Sequence, residues 1–588
     1  QGYRDAILQS DSVYRSAESY VSIMLNIEEG TKYYFRNIDW TGNYVYTDQQ
    51  LGQILGLKKG DVYNQEELNK RLTMNPQGTD VSGLYMDDGY LFFNVRPVEV
   101  RIDGDSIDIE MRVYEGAQAT INQVRIAGND RTNDHVILRE LRTLPGQKFS
   151  RTNIIRDQQQ LAQLGYFDPE QIQINPIPNP VDNTVDIEYK LVEKPSDQIE
   201  LSGGWGGFYG FVGTIGLTFN NFSLRNIPHF DKWHPLPVGD GQKLSLRAQA
   251  NGRQFQSYTF MFSEPWLGGK KPTSFTFSLN SSIQNNDTRF RDPGSFKVHS
   301  ATVGLGKRLT WPDNYFTLSS SLTYKVYQLD NFSYGSSTAN LFETGTANTV
   351  LLNLTLARSS IDNPMFPTQG SSVSLSGSFT PPFSLWSGID YENAEPAEKY
   401  KWVEYMKFMF DAKHYLKIIG KLTLETSIHL GFMNTYSPGT VEVGPFERFQ
   451  LGGDGLAGQN FILGTDIIGL RGYTNLSIKP REQYNNTYRG VEGGILYTKY
   501  SMELRYPITT GQAATVYVFG FVEAGNNWDS YFDYDPFSNY RSAGFGARLF
   551  MPAFGLIGLN WGYGFDTLPN ANAPSGFQFH FTIGQQLR

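Results

Sequence analysis

The sequence predicts a membrane β-barrel of about 16 antiparallel strands, preceded by α+β repeats. Three observations predict it. The composition is rich in aromatics and glycine but has no long apolar run. The hydrophobic period changes near residue 196. The first third of the chain repeats itself.

The chain has 588 residues, too many for one ordinary domain. Tyr, Phe and Trp make up 14% of it and there are 59 glycines, yet charged residues are only 19%. No stretch approaches the ~18 consecutive apolar residues of a transmembrane helix, so membrane helices are excluded. Aromatic- and glycine-rich strands are what a transmembrane barrel needs. The net charge of −9 argues against a basic nucleic-acid surface, and no nucleic-acid partner is expected. The absence of cysteine excludes a disulfide scaffold and a thiolate metal site, and it fits an oxidising compartment.

Before residue 196, helix and strand signals alternate. Asn64 to Leu72 and Arg151 to Leu164 read as amphipathic helices; Ile107 to Val113 and Val185 to Leu191 read as strands. Gly42 and Gly128 lie 86 residues apart, as do Gly60 and Gly146. Asp88-Gly89-Tyr90 is echoed by Leu164-Gly165-Tyr166, and Ile107 to Glu110 by Val185 to Glu188. Each unit reads as strand, Gly-Asn turn, helix, Gly-X turn, helix, Gly-Tyr turn and two strands. Glu29-Gly30 lies 86 residues before Glu115-Gly116, so residues 1–32 are expected to be the tail of an earlier unit.

This pattern resembles the polypeptide-transport-associated (POTRA) domain, over 33–116 and 117–195. The start at Gln1 without a charged and apolar leader predicts either a signal peptide already removed or a sequence that starts inside the mature protein.

Residues 197–588 number 392. At roughly 25 residues per strand with its connection, that gives ~16 strands. The clearest are Ser274 to Leu279, Phe316 to Val326, Val350 to Ala357, Val373 to Phe379, Met406 to Leu416, Val516 to Ala524 and Phe577 to Ile583. In the first, Phe275, Phe277 and Leu279 alternate with Ser274, Thr276 and Ser278, one face for lipid and one for a polar lumen. Short turns at 311–314, 418–420 and 551–553 alternate with long polar stretches at 283–297, 328–347, 432–494 and 525–540. An even strand number returns both ends of the barrel to the periplasm. A soluble array of β-sandwiches would need several cores and linkers that the chain does not display.

The stretch 432–494 contains Phe449-Gln450-Leu451-Gly452-Gly453 and then Leu470-Arg471-Gly472-Tyr473. Counted from the C-terminus it is the sixth external loop, between barrel strands 11 and 12. These residues resemble the signature loop of the BamA superfamily, whose Arg-Gly-aromatic tip folds into the lumen. Ser263-Glu264-Pro265-Trp266-Leu267-Gly268-Gly269 is similar to the family's Glu-Pro-Trp turn, and Asp362 to Gly370 to its Asp-Asn-Pro…Pro-Thr-Gly turn. An enclosed arginine needs a carboxylate partner, because an unpaired buried charge costs several kcal/mol. The resemblance implies Glu503 and Glu523, on strands 12 and 13, as those partners. The second family position is often Asp, where this chain has Glu523.

The resemblance, which spans nearly the whole chain, implies a bacterial outer-membrane protein that folds and inserts other barrels, with its repeats in the periplasm. The expected partners are unfolded outer-membrane proteins, accessory lipoproteins and the bilayer. The first barrel strand carries Gly203, Gly204, Gly206 and Gly207, which weaken pairing; the last carries Phe577, Phe579 and Phe581 before Gly584. This contrast predicts a weak closing seam, a lateral gate where a client strand could pair. The chain ends Gln585 to Arg588 without the terminal aromatic common in barrel signals, so further residues are expected.

No cofactor, metal site or catalytic group is expected. The seven histidines (135, 229, 234, 299, 414, 429 and 580) lack metal-ligand spacing, and no nucleophile–base pattern appears. The glycines at 203–210 are followed by no helix, unlike a dinucleotide loop. The alternatives are a TamA-type translocation factor, a two-partner secretion transporter, and, from another class, a passive porin.

Overall fold

The protein is described by a computed structural model covering residues 2–17, 20–75, 80–206, 210–233, 236–251, 254–286, 293–332, 343–363, 366–453, 466–485, 488, 491–510, 514–551 and 555–583. It divides into two units: residues 1–196 with 238–240, and the remainder from 197.

The first unit opens with a two-stranded antiparallel hairpin, β1 (Ile7–Ala17) and β2 (Tyr20–Glu28). Two similar α+β modules follow. The first holds β3 (Tyr34–Thr41), α1 (Asp48–Leu55), α2 (Gln65–Asn69), α3 (Val81–Asp87), β4 (Asn94–Asp103) and β5 (Ser106–Tyr114). The second holds β6 (Thr120–Ala127), α4 (Asp134–Leu138), α5 (Arg151–Gln163), β7 (Gln173–Asn179) and β8 (Thr184–Lys190). Their sheets have the same order, β3-β5-β4 and β6-β8-β7, each with a parallel and an antiparallel pair. The helices pack on one face of each sheet, around Leu51, Leu68, Tyr85, Ile107 and Ile109 in one and Ile137, Leu161, Phe167, Val185 and Ile187 in the other.

The glycine offset has a common physical cause. Gly42 and Gly128 have φ of 85° and 86°, and a Cβ on either would lie within 2.3 Å of the carbonyl oxygen of Val113 or Leu191. Only glycine fits where the first strand of each module turns against its central strand. A glutamate secures the same turn. Glu115 accepts the Tyr44 and Val45 N–H groups at 2.8 Å, and Glu193 accepts those of Arg131 and Thr132 at 2.9 and 2.8 Å.

The modules differ where one helix was expected in each. α5 is continuous, with Ser150 as its N-cap. In the first module α2 passes into a π-helical turn, Lys70–Met74, and stops. Pro76 follows Asn75 in sequence, and a residue before proline is pushed out of the helical region; Asn75 is extended at φ −73°, ψ 118°. Asp80 then starts α3, accepting the Gly83 N–H at 2.6 Å.

The second unit is a 16-stranded antiparallel meander. Its strands are β9 (Gln198–Gly206), β10 (Gly210–Phe222), β11 (Gln242–Asn251), β12 (Phe255–Glu264), β13 (Thr273–Asn285), β14 (Ser295–Arg308), β15 (Phe316–Asp330) and β16 (Gly345–Ser359). They continue as β17 (Gly370–Phe379), β18 (Met406–Ile419) and β19 (Leu422–Asn434). The sixth external connection contains β20 (Phe449–Leu451) and β21 (Asp466–Ile468), a short parallel pair outside the barrel sheet. β22 (Leu496–Thr510), β23 (Thr515–Trp528), β24 (Tyr540–Met551), β25 (Gly555–Thr567) and β26 (Pro574–Ile583) complete the sheet. No helix among the described residues is long and apolar enough to cross a membrane.

Side chains alternate along these strands. On β23 the Val518 and Val522 side chains are exposed while Tyr517, Phe519, Phe521 and Glu523 are buried. Several strands reach 15 residues, beyond the ~9–11 that span the hydrocarbon. β13 to β16 therefore run into the stretches 283–297 and 328–347 that polarity marks as loops.

Two connections depart from the expected lengths. The external connection 380–405 is long and holds α6 (Ser384–Ser387) and α7 (Pro396–Lys399). The periplasmic connection between β10 and β11, 223–241, is long rather than short. The two recognised turns are tied down by their acids. Glu264 accepts the Trp266 N–H at 2.9 Å; Asp362 accepts those of Thr368 and Gln369 at 2.8 and 3.2 Å.

Candidate functional site: the lumenal loop and the seam

The described residues of the connection 435–495 turn inward, where their apolar side chains are buried. Phe446, Phe449, Leu451, Leu470, Tyr473 and Ile478 share one core with Phe296, Val298, Tyr327, Met433 and Tyr497, which point inward from the upper strands. Phe446 stacks on Tyr327 at 4.6 Å between ring centres. Buried cations hold the base of the loop. Arg448 reaches Asp529 and the carbonyl of Gly493, and Lys407 reaches Asp466 and the Glu447 carbonyl. Gly452 and Gly453 link the loop's two arms: the Gly452 N–H donates to Ile468, and that of Gly453 to Tyr473.

The tip is Leu470-Arg471-Gly472-Tyr473, all four buried. The Arg471 guanidinium lies 2.7 Å from Glu503 on β22 and 2.7 Å from Glu523 on β23. Its backbone N–H donates to the other Glu523 oxygen at 2.8 Å. The guanidinium also lies over the Phe521 ring, 3.7 Å from its centre. A polar lumen was expected here; instead Tyr517, Phe519 and Phe521 face inward. Ring faces attract a desolvated cation, so this wall suits an arginine as polar groups do.

Gly472 has φ of 90°, and a Cβ there would meet the Tyr563 carbonyl carbon, the Gly564 nitrogen and Ser542 at 2.9 Å. The wall glycines answer it: a Cβ on Gly562 would lie 2.6 Å from the Gly472 nitrogen. Backbone thus packs directly on backbone. Tyr473 fixes the far side, donating its hydroxyl to the Arg541 carbonyl at 2.8 Å, with its ring edge-on to Tyr540.

The structure therefore brings Leu470, Arg471, Gly472, Tyr473, Glu503 and Glu523 to one place, with Gly452 and Gly453 bracing the loop behind. Several participants escaped the sequence reading. Arg505 donates to Glu503 at 2.6 Å and pairs with Glu425 on β19. Lys499 lies 3.4 Å from Glu523. Arg548 on β24 is buried over Phe519 at 4.4 Å, and its Nε and Nη1 find no hydrogen-bond partner among the described residues. The signal available was period 2: Lys499, Glu503 and Arg505 fall on one face of β22.

The seam residues lie in the first and last strands of the ladder. Gly203, Gly204 and Gly206 are on β9, fully paired with β10. Phe577 and Phe579 on β26 are exposed on the outer face, and β26 pairs with β25. Gly207, Gly584 and the Phe581 side chain lie outside the described residues. The ladder runs unbroken from β9 to β26, and those two end strands lie against each other, with no ladder register joining them among the described residues.

The Omp85 superfamily domain matches residues 238–587, and the surface antigen variable number repeat, POTRA, matches 33–116 and 119–194. Among characterised relatives, the outer membrane protein assembly factor BamA of Neisseria meningitidis serogroup B is 22% identical over 547 residues. That match covers 90% of this chain and 61% of the relative. BamA of Nitratidesulfovibrio vulgaris is also 22% identical, covering 99% of this chain and 66% of that protein. The chain thus spans less than two thirds of either relative. The solved structure of Haemophilus ducreyi BamA lacking POTRA domains 1–3 matches with a TM-score of 0.63 at 20% identity, over 94% of this chain and all of that one. CdiB from Escherichia coli matches at 0.53 and 14%, over 97% of this chain and 92% of that one.

Proposed function

The chain belongs to the Omp85 superfamily, and on that footing we propose that it folds and inserts β-barrel proteins into the outer membrane, as the central subunit of a barrel assembly machinery. Its barrel lies in the bacterial outer membrane, with the POTRA repeats in the periplasm. Both relatives above are named assembly factors, and this is what supports the client class.

The observation that carries the mechanism is the seam, where β9 and β26 lie against each other and the β9 side carries Gly203, Gly204 and Gly206. A strand edge left unpaired in hydrocarbon costs several kcal/mol per backbone group, so it recruits any strand able to pair. The glycines of β9 lower the cost of parting, and an incoming client strand adds to the exposed edge by β-augmentation. The lumenal loop, latched to β22 and β23, keeps the barrel in shape while the seam moves. The repeats offer sheet edges to unfolded clients and to accessory lipoproteins. The driving energy is the client's own folding, and no cofactor or covalent step is called for.

The test is folding of a urea-denatured barrel client into liposomes, with and without this protein and its native partners. Acceleration that disappears when engineered cysteines cross-link β9 to β26 is the expected result. No acceleration, with the client crossing into the liposome or ions leaking, would replace the reading with a secretion transporter or a porin.

A further inference from the structure

The outward face of β10 to β15 is hollowed rather than uniformly filled. Two cross-strand rows are in register there: Ala248, Tyr258, Ser281, His299 and Val326, then Leu246, Phe260, Leu279, Ala301 and Tyr324. Ala248, Ser281 and Ala301 are small and leave a floor. Tyr258, Leu279 and Tyr324, all more than two fifths exposed, stand around it. The resulting groove is shallow and open, with a volume of about 670 Å³.

Its floor is backed firmly. Phe296, Val298 and Tyr327 fill the lumenal side of the same strands as part of the loop core, each no more than 3% exposed. The wall cannot cave inward to close the groove, because that space is packed. The groove lies toward the external ends of the strands: Ser281 is near the end of β13 at Asn285, and His299 near the start of β14 at Ser295.

The barrel stands in the outer membrane, so this depression faces the external leaflet. An apolar hollow in contact with lipid takes up acyl chain, since an unfilled one forfeits its dispersion contacts. The rim adds selectivity. Ser281 Oγ is 3.0 Å from His299 Nδ1, and the Tyr324 hydroxyl donates to Asn348 at 3.0 Å. Lys297 lies one outward position beyond His299 on β14, between the inward-facing Phe296 and Val298, and makes no ion pair among the described residues. A lysine at the edge of the hydrocarbon carries its ammonium to headgroup level.

We propose that this groove seats one acyl chain of a phosphorylated lipid of the external leaflet, with Lys297 meeting the phosphate and Ser281 and His299 forming the polar edge. The site is distinct from the seam: its lining comes from β10 to β15, one strand in from β9, and includes no residue of β9 or β26.

The test is native mass spectrometry of the full chain, delipidated in non-ionic detergent and titrated with phosphatidylglycerol or with diacylglycerol bearing the same chains. One phosphatidylglycerol is expected to survive activation that strips the rest, with diacylglycerol retained at least several-fold more weakly. Filling the floor with Ala248→Leu and Ala301→Leu should abolish retention of both. Lys297→Glu leaves the packing intact and should remove the advantage of phosphatidylglycerol while keeping chain binding. Equal retention of the two lipids by the unaltered protein overturns the proposal, as does unchanged retention in the floor-filled variant. Client folding by Lys297→Glu at the unaltered rate, alongside its lost lipid preference, would separate this site from the insertase reading.

Discussion

Replacing Arg471 by alanine tests whether the lumenal loop is held by its tip. The guanidinium contributes two charge-assisted contacts at 2.7 Å, to Glu503 and Glu523, and lies over the Phe521 ring. Each such hydrogen bond is worth ~1.5–3 kcal/mol. Neither carboxylate is stranded by the change, since Glu503 keeps Arg505 at 2.6 Å and Glu523 keeps Lys499 at 3.4 Å. The upper end of the ~3–5 kcal/mol penalty for breaking a buried pair is therefore not expected; its lower end, about 3 kcal/mol, is. That corresponds to ~100-fold in the undocked fraction of the tip. Hydrogen exchange of the full-length protein reads it directly, because the Arg471 N–H is bonded to Glu523. Exchange across 470–473 should accelerate by about two orders of magnitude, while that of β22 and β23 changes little. Arg471→Lys should fall between, as a point charge cannot bridge both carboxylates in the same way. Unchanged protection in Arg471→Ala would refute the reasoning and assign the docking to the apolar core around Phe446 and Leu470.

Other outcomes follow from the same contacts. Gly472→Val should undock the tip as thoroughly as Arg471→Ala, because its Cβ meets backbone at 2.9 Å; unaltered exchange at 470–473 would contradict the backbone packing. Glu115→Ala removes the acceptor for two N–H groups and for the Tyr85 hydroxyl at 2.9 Å. It should destabilise the first repeat by about 1–3 kcal/mol, seen as faster exchange of β3 and β5 but not of β6 and β8. The Arg36 guanidinium holds the Asp108 carboxyl below the usual carboxylate range by donating to both its oxygens, at 2.8 and 2.6 Å. A carboxyl lowered on folding contributes stability above its unfolded value, near ~4, and loses it as pH falls through the folded one. Local stability of the β3–β5 pair should therefore drop below about pH 4, and Arg36→Ala should flatten that dependence in exchange measured from pH 6 to pH 3.

Much of this architecture was legible because it rests on local periodicity. Period-2 alternation, as in Phe275 to Leu279, locates membrane strands without reference to the rest of the chain, and strand count follows from length. The repeated glycines at 42 and 128 are legible for a similar reason: a positive φ against a neighbouring carbonyl admits no other residue. Boundaries were less so. The polar upper halves of β13 to β16 resemble loops, since nothing local says that a strand continues above the bilayer when a core waits inside it. The helix read over Asn64 to Leu72 stops short of Asn75-Pro76, and α3 beyond that break was not read.

The candidate site divides along the same line. The sequence by itself required a carboxylate partner for an enclosed Arg471, and the family resemblance pointed to Glu503 and Glu523 as those partners. Only the tertiary structure decided how the charge is shared. Arg505, Lys499, Glu425 and Arg548 join the network through pairing of strands far apart in sequence, and Phe521 supplies a ring face where a polar wall was expected. It alone revealed that Gly472 rests on Gly562 and Gly564, and that three small residues on separate strands hollow the outer wall. Proximity across a sheet depends on register, and register is set jointly by the facing patterns of paired strands and the turns between them, which no single segment encodes.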